Sequence, residues 1–181
     1  INNHTKHLKE LVSLFPGAVV AQREDLLDNF NTTEYDLLVF SGGSNVPTVF
    51  RHPEEYIFES KLIKESKIPI LGICLGAEII AQTFGGELQQ LPTKHQGIVE
   101  LKIKDLQLKL QLGSDKLEVT EGHMVGIKTL PVDFISCASS EHGIEIIKHK
   151  NRPIIGFQFH PEISINKKLI KWAVLSLGLG K

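Results

Sequence analysis

Two stretches of this chain are apolar at consecutive positions rather than at alternate ones: residues 36–41 (DLLVFS) and residues 68–73 (IPILGI). A strand that shows one face to water alternates, whereas a strand covered on both faces does not. Such strands require helices above and below them, and the intervening sequence supplies candidates. Residues 5–15 carry Leu8, Leu11, Val12 and Phe15 at three- and four-residue spacing and stop at Pro16-Gly17. Residues 53–67 open on a proline, and residues 75–84 end at Gly85-Gly86. A short apolar run at 18–21 reads as a further strand. Strand–helix alternation predicts an α/β fold: one three-layer domain over residues 1–181, with a mainly parallel central sheet and helices on both faces.

From residue 87 the pattern changes. Short strand-like runs occupy residues 97–103, 117–120, 134–138, 144–148 and 154–159, and residues 164–177 form a closing helix that offers Ile165, Leu169, Ile170, Ala173, Val174 and Leu177 for burial. These runs predict an antiparallel hairpin region added to the parallel sheet. Lys102, Lys104 and Lys109 read as the wet side of its strands. Residues 1–3 read as the tail of a first strand cut short.

Charge narrows the partners. Twenty basic residues against twenty-one acidic ones leave a net charge of −1, which argues against nucleic acid held by bulk positive charge. No apolar run reaches the ~20 residues that span a bilayer. With two cysteines and no CxxC or Cys/His cluster, the sequence carries neither a disulfide framework nor a zinc signature. A cytoplasmic setting and no metal in the site are the expectations.

The chemistry concentrates in Gly72-Ile73-Cys74-Leu75-Gly76, between a buried strand and a helix. A nucleophile on such a turn has small neighbours because the backbone around it is crowded. The turn points Cys74 out at the carboxyl end of the sheet, at a helix N-terminus whose dipole favours the thiolate. The N–H of Leu75 would face a developing oxyanion. Cys137 has no such context and reads as core.

A thiol needs a base, and the base an orienting group. The run 154–159 ends at His160, again a carboxyl end of a strand, and Pro161 stiffens the link to Glu162. Cys74 and His160 can meet there despite their separation in sequence. Gly42-Gly43 closes a third strand end, where the backbone can approach a ligand. His4 and His7 read as a solvated pair, His52 as a loop residue, and His142 and His149 as hairpin surface residues.

Together, Ser41-Gly42-Gly43, Gly72 to Gly76, and Gly156-Phe157-Gln158-Phe159-His160-Pro161-Glu162 resemble, in order, the blocks of the class I (triad-type) glutamine amidotransferase domain. The resemblance implies Cys74 as nucleophile, His160 as base and acid, Glu162 as orienting carboxylate, and Gly43 and Leu75 as the oxyanion hole. It assigns Gly42, Glu78, His95, Gln96 and Gly97 to substrate binding. Within the family, His123, Leu130-Pro131, Ala138-Ser139-Ser140 and residues 153–162 resemble the glutaminase unit of GMP synthase.

The implied activity is hydrolysis of glutamine through a cysteinyl thioester, with ammonia passed to an ATP-dependent synthetase such as the nucleotide-activating subunit of GMP synthase. No cofactor is implied in this chain, ATP and magnesium belonging to that partner. Two positions depart from the pattern: Glu78 stands where relatives usually have Gln, and Val125 where they often have Asp. Glu78 keeps open a stand-alone hydrolase of another γ-glutamyl compound. A catalytically idle relative that only binds a partner is the third reading.

Overall fold

The computed structural model describes residues 1–26, 30–164 and 166–180. In chain order the elements are α1 (Leu8–Ser13), β1 (Leu38–Phe40), α2 (Ile57–Glu65), β2 (Ile70–Ile73), α3 (Leu75–Thr83), β3 (Glu87–Ile103), α4 (Leu106–Leu112), β4 (Lys116–Thr129), β5 (Phe134–Ser140), β6 (Gly143–His149), β7 (Ile154–Phe157) and α5 (Lys167–Ser176). Ile165, expected to help bury the closing helix, lies outside the described residues.

Among the described residues seven strands form one sheet in the order β1-β2-β7-β6-β4-β3-β5, with β5 also paired to β6. This corrects the expectation of a mainly parallel three-layer sheet. Only β1, β2 and β7 run parallel. The other five pairings are antiparallel, and four of them close β6, β4, β3 and β5 into a ring. The reason lies in the connections. A parallel partner needs a crossover of a dozen or more residues, whereas residues 130–133, 141–142 and 150–153 are all that join β4, β5, β6 and β7. The expected hairpin appendage is thus the larger part of the sheet. β3 and β4 are also far longer than the apolar runs within them, because their outer faces are polar.

The buried short strands behave as consecutive apolar strands should. Along β2 and β7, Ile70 and Ile154 join a core under α2 and α3, while Leu71 and Ile155 join a second core with Trp172 and Ala173 of α5 and Leu108 of α4. The helix α4 is an element that the apolar spacing does not predict. Asp105 caps it, accepting from the Leu108 N–H at 2.7 Å, and Gly113 ends it at φ 74°. Lys109 therefore lies on a helix, not on the wet side of a strand. The strand expected at 18–21 does not form: a single bridge joins Gln22 to Asn2, and Val19 and Val20 are exposed.

Candidate active site

Register brings the site together. Ile73, at the end of β2, sits opposite Phe157, at the end of β7. The next N–H, that of Cys74, donates to the Phe157 carbonyl at 2.7 Å. His160 follows three residues later and is tied to the ring by its own N–H, which donates to the Thr120 carbonyl of β4 at 2.9 Å. The Ser164 hydroxyl donates to the His160 carbonyl at 2.7 Å.

Cys74 has φ 50° and ψ −107°, a conformation rare for a residue with a side chain. The turn leaves no space beside it. A Cβ on Gly72 would lie 2.6 Å from the Gly76 backbone, and one on Gly76 would lie 2.2 Å from the Phe40 carbonyl oxygen. Gly42 stands between Cys74 and His160: a Cβ there would meet His160 Cε1 at 3.0 Å and Cys74 Cβ at 3.4 Å. Gly43 packs against Leu75, whose Cδ2 would be 2.5 Å from an added Cβ.

His160 Nδ1 and Glu162 Oε1 are 2.8 Å apart, and both residues are buried. A carboxylate there fixes the proton on Nδ1 and leaves Nε2 free to exchange one. The ring of His7 stands 5.4 Å from that of His160, edge on. Burial and the neighbouring His160 charge lower the pKa of His7. Of the two histidines expected to be solvated, His4 is exposed, with Nε2 2.6 Å from Glu24, whereas His7 is half-buried against His160.

Burial, then the charge of Glu78, push the Cys74 thiol well above its ordinary value, and the hydrogen bond from the Leu75 N–H only partly offsets them. Glu78 is itself 3% exposed, on α3 one turn after Cys74, so it does not face solvent. The Gln158 amide donates to its Oε1 at 3.0 Å. Burial pushes the Glu78 carboxyl up to about 7 against the pull of Gln158 and His123.

His95, Gln96 and Gly97, which the resemblance assigns to substrate binding, belong to β3 and lie opposite His123, Gly122 and Glu121 of β4. The His95 ring packs 3.6 Å from that of His142 and 6.0 Å from that of His123. Gln96 and Gly97 are exposed. His149 is buried rather than on the surface, accepting at Nδ1 from the N–H groups of Asn151 and Arg152. Cys137 lies fully in the core as expected, its thiol raised to about 12 chiefly by burial. A roughly 560 Å³ cavity between α1 and residues 34–39 has neither Cys74 nor His160 in its lining, so it lies apart from the chemistry.

Sequence reasoning missed a group of charges beside this site. Along β4, Leu117, Val119, Val125 and Ile127 point inward, and so do Glu121 and His123. Glu145 of β6 joins them, 1% exposed. His123 Nε2 is 3.6 Å from Glu121 Oε2. Burial opposes both charges, yet their mutual attraction raises the imidazole and lowers the carboxyl. Burial and the Glu121 charge push Glu145 up to about 8. The signal was present in the sequence: in a two-residue period, Glu121 and His123 share the apolar face of their strand.

Among the described residues no helix is long and apolar enough to cross a membrane. The sequence profile of class-I glutamine amidotransferases matches residues 4–172. The chain is 36% identical over 134 residues to a glutamine-hydrolyzing GMP synthase subunit of Thermococcus kodakarensis, covering 70% of this chain and 66% of that protein. It is 36% identical over 162 residues to the protein of the same description from Methanothermobacter thermautotrophicus, covering 89% and 83%. The crystal structure of a putative GMP synthase subunit from Thermoplasma acidophilum superposes with a TM-score of 0.81 at 25% identity, over 98% of this chain and 92% of that one. With a family match that spans almost the whole length and relatives of one description, this chain belongs to the class-I glutamine amidotransferases, in the likeness of the glutamine-hydrolyzing subunit of GMP synthase.

Proposed function

We propose that the chain is a glutaminase that works through a cysteinyl thioester and passes its ammonia to an ATP-dependent synthetase. The observation that carries this reading is the convergence at Gly42 of Cys74, on a strained strand-to-helix turn, and His160, held by Glu162. His160 takes the thiol proton as the Cys74 sulfur bonds to the side-chain amide carbon of glutamine. The C–N bond then breaks, and ammonia leaves with the proton returned by His160. Water, deprotonated by His160, adds to the thioester; glutamate departs and the sulfur regains its proton. Burial pushes the Cys74 thiol up, which suits an order in which the proton moves as the sulfur attacks. The N–H groups of Gly43 and Leu75 are assigned to the oxyanion.

The glutamine-hydrolyzing relatives support the nucleotide-activating subunit of a GMP synthase in the role of ammonia acceptor, with ATP and magnesium bound there. The test is ammonia release from glutamine by the purified chain, alone and with that partner, with Cys74→Ala as control. Release that requires Cys74 supports the proposal; no release in either setting overturns it.

The buried Glu78 favours a second reading, hydrolysis of a γ-glutamyl compound with a cationic group near α3. Faster turnover of γ-glutamyl amines than of glutamine would establish it over the first.

A further inference from the structure

Glu121, His123 and Glu145 lie inside the antiparallel ring, where apolar side chains would be cheaper to bury. Each offers a ligand atom, and these atoms all lie within 4.8 Å of one another. Three of their polar atoms are buried and without a hydrogen-bond partner: Glu121 Oε1, His123 Nε2 and Glu145 Oε2. Buried polar groups are ordinarily paired, and here a single ion pair, His123 Nε2 to Glu121 Oε2 at 3.6 Å, leaves these three atoms without a hydrogen bond.

The surrounding bonds orient them as a coordination shell requires. His123 Nδ1 is 2.9 Å from the Val125 carbonyl, which places a proton on Nδ1 and turns Nε2 toward the cluster, where a metal ion would displace the Nε2 proton that Glu121 favours. The Ser140 hydroxyl donates to Glu145 Oε1 at 2.7 Å and leaves Oε2 free. We propose that Glu121, His123 and Glu145 bind one divalent transition-metal ion. Two carboxylates balance its charge, and an imidazole with two carboxylates is a donor set that takes zinc with a fourth position open.

The position gives such an ion a purpose. It would join β4 to β6 at the seam where the ring closes through one matched pair, Ile127 opposite Ile144. It would lie across β4 from His160: Gly122, between Glu121 and His123, turns the other way along the strand, and a Cβ on it would lie 3.8 Å from His160 Nε2. A second triplet, His95, Glu121 and His142, shares Glu121. It is less buried than the first, and His142 already pairs with Glu141 at 3.7 Å.

The ligands sit on separate strands, so no short motif announces the site. Equilibrium dialysis of the tag-free chain against Zn²⁺, with Mg²⁺ as the comparison, and titration with Co²⁺ as a coloured probe test it. The expected result is saturable binding of about one Zn²⁺ per chain with little Mg²⁺. Glu145→Gln and His123→Gln should each weaken Zn²⁺ by at least about 10-fold and change the Co²⁺ spectrum. Absence of saturable Zn²⁺ and Co²⁺ binding by the unsubstituted chain, which needs no variant to fold, overturns the proposal. So does binding that survives both substitutions, or that is lost only in His95→Asn and His142→Asn.

Discussion

Replacing Glu78 by Gln isolates the cost of burying a carboxylate one turn from Cys74. The folded chain raises this carboxyl from 4.5 to about 7, first through burial. A raised folded value means that Glu78 contributes most to stability below pH 4.5, and that this contribution is lost as the pH climbs toward 7. The difference corresponds to about 3 kcal/mol. Glutamine does not titrate, and its amide oxygen still accepts from Gln158, so the bond now 3.0 Å long is kept.

The stability of Glu78→Gln minus that of the native chain should therefore rise by about 3 kcal/mol between pH 4.5 and pH 8 and stay level above. Urea unfolding at pH 5 and pH 8 reads most of this directly, provided the denaturant slope is unchanged. At pH 8 the variant should melt roughly 6–12 °C above its own offset at low pH. Cys74 supplies a second readout. Its thiol is raised by burial and then by the Glu78 charge, so alkylation by iodoacetamide at pH 8 should be faster in the variant. A stability gap that is flat or falls with pH, or alkylation no faster than in the native chain, would refute the reasoning.

Two further outcomes follow from the geometry. Gly76→Ala places a Cβ 2.2 Å from the Phe40 carbonyl oxygen, and since backbone must move to relieve it, a loss of about 3 kcal/mol or more is expected in chemical denaturation. A loss under about 1 kcal/mol would mean that the strand-to-helix turn yields easily. Glu162→Gln keeps the shape beside His160 but disturbs its tautomer at the 2.8 Å contact. The glutaminase kcat should fall by about 10²–10⁴-fold with little change in KM, and an unchanged kcat would remove Glu162 from the proposed mechanism.

Much of the local geometry around Cys74 and His160 was legible before any coordinates. The glycines around Cys74 signal a crowded turn because only steric crowding selects glycine on both sides of a nucleophile, and Gly72 and Gly76 meet backbone within 2.6 Å. His160 and Glu162 are neighbours in sequence, so their contact is local. The upward push on the Cys74 thiol was not legible, because the helix dipole is a local effect whereas burial depends on everything that packs around the sulfur. The burial of Glu78 and the approach of His7 to His160 are likewise contacts between distant segments.

The chain by itself determined the crowded turn at Cys74, the closeness of His160 to Glu162, and which short strands are covered on both faces. These follow from local sterics and from the period of apolar residues. Tertiary structure decided the balance of the sheet, because pairing direction depends on how connections return the chain, and the short links after β4 favour an antiparallel ring. It also decided what Glu121, His123 and Glu145 face. Residues on two strands become one cluster only when β4 and β6 close on each other, and that closure is a property of the whole ring.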